Sequence, residues 1–196
     1  MKLQIAEGAV LLPGFARESA ETLVAAIEDV VARAPFRHMT VPGGHKMSVA
    51  MTNCGEAGWV SDRSGYRYER LDPETGNRWP DMPESFADVA MRGALLAGYD
   101  GFCPDVCLIN RYQPGARMAL HQDKDERDFT APIVSVSLGA PAIFLFGGLS
   151  RKDRPRRIRL HHGDVVAWGG EARMAYHGIA PVGAGQRVNL TFRKAF

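Results

Sequence analysis

The stretch APIVSVSLGAPAIFLFGG, residues 131–148, decides the fold class of this sequence. Gly and Pro divide it into two short runs of β-branched, aliphatic and aromatic residues, a pattern typical of β-strands. Further runs of this kind follow one another closely between residues 105 and 193: VCLINRY (106–112), RIRL (157–160), DVVAWGG (164–170) and RVNLTFR (187–193). Closely spaced strands with turn residues between them predict a sandwich or jelly-roll barrel rather than alternating βαβ units.

Two amphipathic segments upstream of the strands predict helices. The first, SAETLVAAIEDVVARAP (19–35), starts at the capping residue Ser19, and its apolar stripe consists of Leu23, Ile27, Val30 and Val31. The second, PESFADVAMRGALLAG (83–98), ends at Gly98, and its stripe consists of Phe86, Val89, Ala90 and Leu96. We expect both helices to cover one outer face of the strands, which gives an all-β core with flanking helices (an α+β fold).

Length and composition limit the functional classes. With 196 residues and a net charge of +2, the sequence is expected to form one domain, and its overall charge does not identify a nucleic-acid binder. Its three cysteines form neither an even framework nor a CxxC pair, so we expect buried free thiols in a reducing compartment. No apolar run is long enough for a signal peptide or a membrane span. A cytoplasmic, monomeric protein without a membrane partner is therefore expected.

Residues 36–82 show no clear periodicity and are rich in Gly, Pro, Met and aromatic residues. They are predicted to form short hairpins and loops. Because a structureless loop of that length is unusual in a compact domain unless it has a function, we expect this segment to cover a site.

A histidine and a carboxylate in LHQDKDERD, residues 120–128, are candidates for a metal site. His121 and Asp123 are two residues apart, so on extended chain their side chains point to the same side. Such a pair is weak evidence alone, and His162-Gly-Asp164 has the same spacing in a context that suits a plain turn. A second imidazole is available downstream at His177, just after a predicted strand.

The last strand carries an unusual polar face. Val188, Leu190 and Phe192 fall on one side of it, and Arg187, Asn189, Thr191 and Arg193 on the other. Inside a barrel, two arginines on one face require anionic partners. Two histidines and one carboxylate bind Fe(II) as a facial triad and leave positions that a 2-oxo acid can occupy. The far carboxylate of 2-oxoglutarate then pairs with an arginine, expected to be Arg193, whereas the rival reading, zinc hydrolysis, leaves the arginines unexplained.

Several long motifs resemble the AlkB family of alkylation-repair dioxygenases, bacterial branch. The similar segments are NRYQPGARMALHQDKDE (110–126), APIVSVSLGAPAIFLFGG (131–148), HHGDVVAWGG (161–170), YHGI (176–179) and RVNLTFR (187–193). In addition, PGGHKMSVAMTNCGEAGW (42–59) resembles the substrate lid of that family. The resemblance extends from about Ala9 to Arg193.

This resemblance implies a double-stranded β-helix, a jelly-roll variant, in one dioxygenase domain (1–196) with a lid at about 36–82 and a catalytic core at about 105–193. It implies Fe(II) ligands at His121, Asp123 and His177. The implied contacts to the co-substrate 2-oxoglutarate are Asn110, Tyr112, Arg187, Asn189 and Arg193, and dioxygen is the second co-substrate.

The implied reaction is oxidative demethylation of N-alkylated DNA bases such as 1-methyladenine and 3-methylcytosine, with release of formaldehyde, succinate and CO2. The base must be flipped out or single-stranded to reach the iron. The implied substrate contacts are Trp59 as the stacking ring against His121, Tyr66, Met51, Asp125 beside the cationic base, and the basic residues Arg117 and Arg151. Most of the basic run 150–160, together with Glu126 and Asp128, is expected to be solvated.

Three alternatives stay open at this point. The same chemistry could act mainly on RNA or tRNA. The barrel could be a metal- or nucleic-acid-binding module without turnover, or a hydroxylase of small molecules. Formaldehyde release from a methylated oligonucleotide would distinguish a demethylase of either nucleic acid from a binding module. The aromatic, acidic and basic residues named above argue against a small-molecule substrate.

Overall fold

Thirteen β-strands and two α-helices make up the computed structural model, which describes residues 2–196. The helices are α1 (Ala20–Arg33) and α2 (Glu84–Ala97). The strands are β1 (Leu3–Ala6), β2 (Ala9–Leu12), β3 (Ala50–Gly55), β4 (Gly58–Asp62), β5 (Gly65–Glu69), β6 (Val106–Tyr112), β7 (Met118–His121), β8 (Ile133–Gly139), β9 (Ala142–Phe146), β10 (Arg156–Leu160), β11 (Val165–Trp168), β12 (His177–Ile179) and β13 (Arg187–Arg193).

The strands form two main antiparallel sheets. The larger sheet has the order β1-β2-β11-β8-β13-β6-β3, the smaller has the order β10-β9-β12-β7, and β4 and β5 form a separate hairpin. One apolar cluster joins the facing surfaces of the two sheets; it includes Leu108, Ile133 and Trp168 of the larger sheet and Phe144, Phe146 and Ile179 of the smaller. The expected all-β core with flanking helices, of the jelly-roll type, is confirmed.

Alternation along the strands explains why the larger sheet has two different faces. In β11, Val165 and Ala167 belong to the apolar cluster that contains the helices, whereas Val166 and Trp168 belong to the cluster between the sheets. All four side chains are buried, as expected for a strand covered on both sides. The helices therefore close the outer face of the larger sheet, and its inner face is left for the site.

Both helices lie where the sequence predicts, with two differences in detail. Ser19 occupies the N-cap position of α1, but its side chain makes no capping hydrogen bond. Leu96 of α2 is 52% exposed, so the prediction that it belongs to the buried stripe is wrong. Gly93 and Ala94 continue the stripe of Phe86 and Val89 instead, because they lie one and two helical turns further along the same face.

Several short strands were not predicted. β1 and β2 add an edge to the larger sheet, and β7 and β12 are too short to give a period-two signal. β3 lies inside the 36–82 segment and pairs with β6 along its whole length, from Ala50↔Arg111 to Gly55↔Val106. Of the three free cysteines, Cys54 and Cys107 are buried and adjacent on this strand pair, but Cys103 is exposed, contrary to expectation.

Candidate metal centre and co-substrate pocket

The candidate metal ligands come from two neighbouring strands and the loop between β7 and β8. His121 ends β7, His177 begins β12, and the two residues are direct partners in the antiparallel pairing. Asp123 follows two residues after His121. This pairing brings together residues that are more than fifty positions apart in the sequence, so β-sheet register assembles the three-residue cluster.

Distances among the three side chains suit a shared cation. Their candidate ligand atoms all lie within 4.8 Å of one another. Asp123 places one carboxylate oxygen 3.6 Å from Nε2 of His121 and the other 3.7 Å from Nε2 of His177. No second group of three histidine, cysteine or acidic residues with this proximity occurs among residues 2–196.

Backbone carbonyls fix the tautomer of both imidazoles. Nδ1 of His121 lies 2.9 Å from the carbonyl oxygen of Ala119, and Nδ1 of His177 lies 3.0 Å from that of Ala175. A carbonyl oxygen only accepts, so Nδ1 carries the proton in each ring and Nε2 offers a lone pair. Hydrogen bonds of this kind orient imidazole ligands in metal sites.

The protonation states are also those of a ligand set. Burial, with a contribution from nearby His121, lowers the pKa of His177 to about 4, so this ring is neutral at physiological pH. Burial alone would raise the pKa of Asp123, but Arg193 and the two histidines outweigh it and hold this pKa well below its usual range. A neutral imidazole and an ionised carboxylate are both ready to bind a cation.

Gly178 permits the close approach of β12 to β7. A Cβ atom at this position would lie 2.6 Å from the carbonyl oxygen of Met118 and 3.0 Å from that of Ala119. No real side chain tolerates these distances to backbone, so a larger residue would force the two strands apart and move His177 away from His121.

We therefore expect Gly178→Ala to lower kcat/KM at least about tenfold, since displacements near 1 Å at a reacting centre cost up to about a hundredfold. Gly183→Ala is the matched control, because a Cβ at Gly183 meets nothing within 4 Å. Steady-state kinetics and thermal melting of both variants check this prediction, and equal activity of the two would contradict it.

An inner cavity of about 50 Å³ opens beside the cluster, between the two sheets. Its polar lining comes from the inner face of β6 and β13, and it contains Asn110, Tyr112, Asn189, Thr191 and Arg193 together with His121 and His177. Four of the five predicted co-substrate residues thus line one cavity. The alternation predicted for the last strand is confirmed, since Leu190 and Phe192 point to the helix-covered side.

Arg187, the fifth, is buried behind this lining with unused donors. Its Nη2 donates to the hydroxyl of Ser137 at 2.9 Å, and its guanidinium lies 5.2 Å from the ring centre of Tyr112. Its Nε and Nη1 have no hydrogen-bond partner, and the side chain is 1% exposed. Burial lowers the pKa of Arg187. An isolated buried guanidinium is costly, so this group fits an anion that completes its partners.

Arg193, at the other end of β13, lines the pocket itself. Its Nε and Nη2 donate to one carboxylate oxygen of Asp123 at 2.9 and 2.8 Å. It therefore adjoins the metal ligands, and the expectation that it holds the far carboxylate of 2-oxoglutarate does not agree with the structure. Arg187 and Arg193 are the first and last residues of β13, so one guanidinium lies behind the pocket lining and the other lines the pocket beside the candidate metal ligands.

The side chains present fit Fe(II) and 2-oxoglutarate. Two imidazoles and one carboxylate form the donor set typical of Fe(II) oxygenases that use a 2-oxo acid. Arg187 supplies two unpartnered donors behind the pocket lining, and Arg193 supplies one at Nη1 in the lining itself. A dicarboxylate anion offers an acceptor group for the unpartnered donors of each arginine.

A larger outer cavity of about 430 Å³ adjoins the cluster on its other side. All six predicted substrate residues line it: Met51, Trp59, Tyr66, Arg117, Asp125 and Arg151. His121, Met118 and Arg193 line both the outer and the inner cavity. The two cavities therefore meet at the candidate metal centre.

Trp59 is held in the outer cavity by a hydrogen bond and a stacked ring. Its indole N–H donates to Asp125 at 2.8 Å, and its ring is stacked on Tyr66 with centroids 5.6 Å apart. Trp59 and Tyr66 lie on the paired strands β4 and β5, so the hairpin carries both aromatic residues. Arg151 also lines this cavity, where its guanidinium lies over the ring of Tyr176.

The acidic residues of the loop after His121 are not all solvated. Asp128 is partly exposed and accepts hydrogen bonds from Thr130, but Glu126 is a buried residue. The prediction for Glu126 is wrong because three distant side chains converge on it, which no local sequence pattern reveals. The basic side chains of the 150–160 run are exposed, as expected.

The alternative motif His162-Gly-Asp164 is a turn. Asp164 accepts hydrogen bonds from the backbone N–H groups of Gly14 and His161, both at 2.8 Å, and Gly163 has a φ of +82°. Asp164 thereby links the turn to the segment before α1.

Neither helix in residues 2–196 has the length and apolar character needed to cross a membrane.

Comparisons with known proteins agree with this geometry. Residues 8–193 match the 2OG-Fe(II) oxygenase superfamily. The chain is 58% identical to the alpha-ketoglutarate-dependent dioxygenase AlkB of Escherichia coli, over 97% of this chain and 92% of that protein. It is 44% identical to an AlkB homolog of Caulobacter vibrioides, over 98% and 90% of the two chains.

A solved structure extends the similarity to the whole fold. The structure of OsALKBH1 superposes with a TM-score of 0.87 at 26% identity, covering 99% of this chain and all of the other. The match to the superfamily and the identity to the bacterial dioxygenases both cover nearly the full length. The chain belongs to the 2OG-Fe(II) oxygenase superfamily and, within it, to the AlkB family.

Proposed function

We propose that this protein is an Fe(II)- and 2-oxoglutarate-dependent dioxygenase that demethylates N-alkylated DNA bases, with 1-methyladenine and 3-methylcytosine as substrates. The observation that carries the proposal is the junction of the two cavities at His121, Asp123 and His177. An arginine-lined pocket lies on one side of these residues, and a cavity with an aromatic hairpin, a carboxylate and basic residues lies on the other.

His121, Asp123 and His177 would hold the iron through two Nε2 atoms and one carboxylate. Asn110, Tyr112, Asn189 and the two arginines would bind 2-oxoglutarate, with Arg187 at the far carboxylate and Arg193 near the metal. Bound iron would use dioxygen to couple oxidation of 2-oxoglutarate to succinate and CO2 with hydroxylation of an N-methyl group, which leaves as formaldehyde.

The outer cavity would receive a single base that is flipped out or already unpaired. Trp59 offers an aromatic face for stacking, Met51 contributes an apolar wall, and Tyr66 lies at the exposed edge. Asp125 would favour cationic methylated bases, since it is the carboxylate hydrogen-bonded to the stacking ring. Arg117 and Arg151 are exposed at the rim, where they would bind phosphates and make binding salt-dependent.

Similarity to bacterial AlkB dioxygenases over almost the entire chain does not favour the RNA alternative. We also propose that the protein is a cytoplasmic monomer. Its chain would form one dioxygenase domain, with the lid at about 36–82 and the catalytic core at about 105–193. Size-exclusion chromatography with light scattering tests the monomer.

The decisive experiment measures formaldehyde and succinate from a 3-methylcytosine DNA oligonucleotide, a matched RNA oligonucleotide and unmethylated DNA. We expect both products in equal amounts from methylated DNA, dependent on Fe(II), 2-oxoglutarate and oxygen, with slower turnover of RNA. Faster turnover of RNA would transfer the proposal to that substrate. No formaldehyde from either methylated strand would refute demethylation and leave a binding module.

Charge at Asp125 leads to a prediction about substrate choice. Asp125→Asn keeps an oxygen that can accept the indole N–H of Trp59 but removes the negative charge. We expect kcat/KM for cationic 3-methylcytosine to fall about tenfold, the equivalent of about 1.4 kcal/mol. The neutral base 3-methylthymine, which gains nothing from the carboxylate, should be demethylated at an unchanged rate. Equal effects on both bases would contradict the charge argument.

A further inference from the structure

Glu126 is the centre of a buried polar cluster next to the candidate metal site. Its side chain is 2% exposed and lies in the loop between β7 and β8, three residues after Asp123. Three side chains converge on its carboxylate: the Tyr68 hydroxyl donates at 2.6 Å, Nη2 of Arg173 at 3.0 Å, and Nε of Arg193 approaches to 3.3 Å.

The three partners belong to different parts of the fold. Tyr68 lies on β5, whose paired strand β4 carries Trp59 directly opposite it. Arg173 lies in the turn before β12 and also donates to the backbone carbonyl of Asp123 at 2.8 Å. Arg193 is the last residue of β13. The Glu126 carboxylate therefore contacts the aromatic hairpin, the segment before β12 and the pocket wall at the same time.

The charges of this cluster balance before any ion binds. Asp123 and Glu126 contribute two carboxylates, and Arg173 and Arg193 contribute two guanidinium groups, all of them buried. Arg193 is shared between both acids. If a cation takes up the charge of Asp123, Glu126 is the anion that still holds Arg193 in place, and Arg193 keeps Nη1 free for a ligand.

We propose that Glu126 is a positioning residue with two effects. Through Arg193 it keeps the metal end of the 2-oxoglutarate pocket in binding geometry, and through Tyr68 it fastens the hairpin that carries Trp59 to the metal-binding loop. The proposal deepens the function proposed above and rests on it, because it assumes that 2-oxoglutarate binds beside Arg193.

Two substitutions separate the two effects. Glu126→Gln leaves an oxygen that accepts the Tyr68 hydroxyl but removes the charge that holds both guanidinium groups. Tyr68→Phe keeps the ring and removes only the hydrogen bond between the hairpin and Glu126. Asp128→Asn is the matched control, because it removes a negative charge from the same loop outside the cluster, and the amide can still accept the hydrogen bonds from Thr130.

For Glu126→Gln we expect the KM for 2-oxoglutarate and its anaerobic dissociation constant with Fe(II) to rise at least about tenfold, as for other residues that orient ligands. Its KM for a 3-methylcytosine oligonucleotide should be unchanged. For Tyr68→Phe the reverse is expected: the oligonucleotide KM rises severalfold and 2-oxoglutarate binds as in the parent protein. Asp128→Asn should match the parent in both.

A purely structural cluster would behave differently. It would lower the melting temperature and the active fraction of Glu126→Gln and leave both KM values in place, and that result would overturn the inference. If Glu126→Gln does not fold, Glu126→Asp, which keeps the charge but shortens its reach, is expected to show the same rise in the 2-oxoglutarate KM. A parent protein that fails to bind 2-oxoglutarate would refute the proposed function, whereas a parent that binds it and a Glu126→Gln variant equal to Asp128→Asn would refute only the role of Glu126.

Discussion

Asp123→Asn is expected to abolish measurable turnover and to destabilise the metal-free protein. Loss of a residue that only orients a ligand costs about 10–100-fold, so loss of a charged ligand itself should exceed about a hundredfold. The second effect follows from Arg193, which donates two hydrogen bonds to one oxygen of Asp123. A neutral amide leaves that buried guanidinium with Glu126 as its remaining partner, and breaking one side of a buried ion pair costs about 3–5 kcal/mol.

Chemical denaturation of the metal-free protein and an Fe(II) binding assay measure the two effects separately. Asp128→Asn again serves as the control, since Asp128 lies in the same loop and is partly exposed. Retention of Fe(II) affinity by Asp123→Asn would remove Asp123 from the ligand set. An unchanged free energy of unfolding would show that Arg193 does not depend on this carboxylate.

Arg187→Met is expected to weaken 2-oxoglutarate binding without lowering the stability of the metal-free protein, whereas Asp123→Asn should lower both stability and activity. The arginine is buried with two unpartnered nitrogens, so a methionine that fills the same space should leave the metal-free protein equally stable or more stable. Binding of 2-oxoglutarate should suffer strongly. Truncating one partner of a buried charge pair costs about 2–5 kcal/mol, which corresponds to a loss of affinity of about 30-fold or more.

Thermal melting with and without Fe(II) and 2-oxoglutarate tests both halves of this prediction. The parent protein should gain stability with the two ligands together, and Arg187→Met should start at an equal or higher melting temperature and gain less. A lower melting temperature of the ligand-free variant would contradict the first half, because it would mean that the contacts with Ser137 and Tyr112 already stabilise the buried charge of Arg187. An unchanged KM for 2-oxoglutarate would place the far carboxylate elsewhere.

Periodicity and turn residues predict most of the fold because strand alternation directly reflects which face is buried. The polar face of β13 is the clearest case, since Asn189, Thr191 and Arg193 all line the inner cavity. Strands of three or four residues, such as β7 and β12, carry too few positions for any period to appear. Their positions depend on pairing with distant strands, which is also what brings His121 and His177 together.

Long-range packing explains what sequence reasoning missed at the site. Glu126 is surrounded by charged neighbours in the sequence, so a solvated loop is the natural expectation, and only the fold brings Tyr68 and Arg173 to it. The position of Arg193 beside the metal ligands, rather than far from them, has a similar origin. Arg187 and Arg193 lie on the same strand face, and the direction of the strand relative to the metal ligands decides which one is near.

The most direct test is an anaerobic titration of the purified protein with Fe(II) and 2-oxoglutarate. We expect the protein to bind one equivalent of each, with tight 2-oxoglutarate binding only when the metal is present. The variants His121→Ala, Asp123→Ala and His177→Ala should all lose the metal. Fe(II) binding that survives replacement of any of the three, or 2-oxoglutarate binding that ignores the metal, would contradict a single centre shared by these side chains.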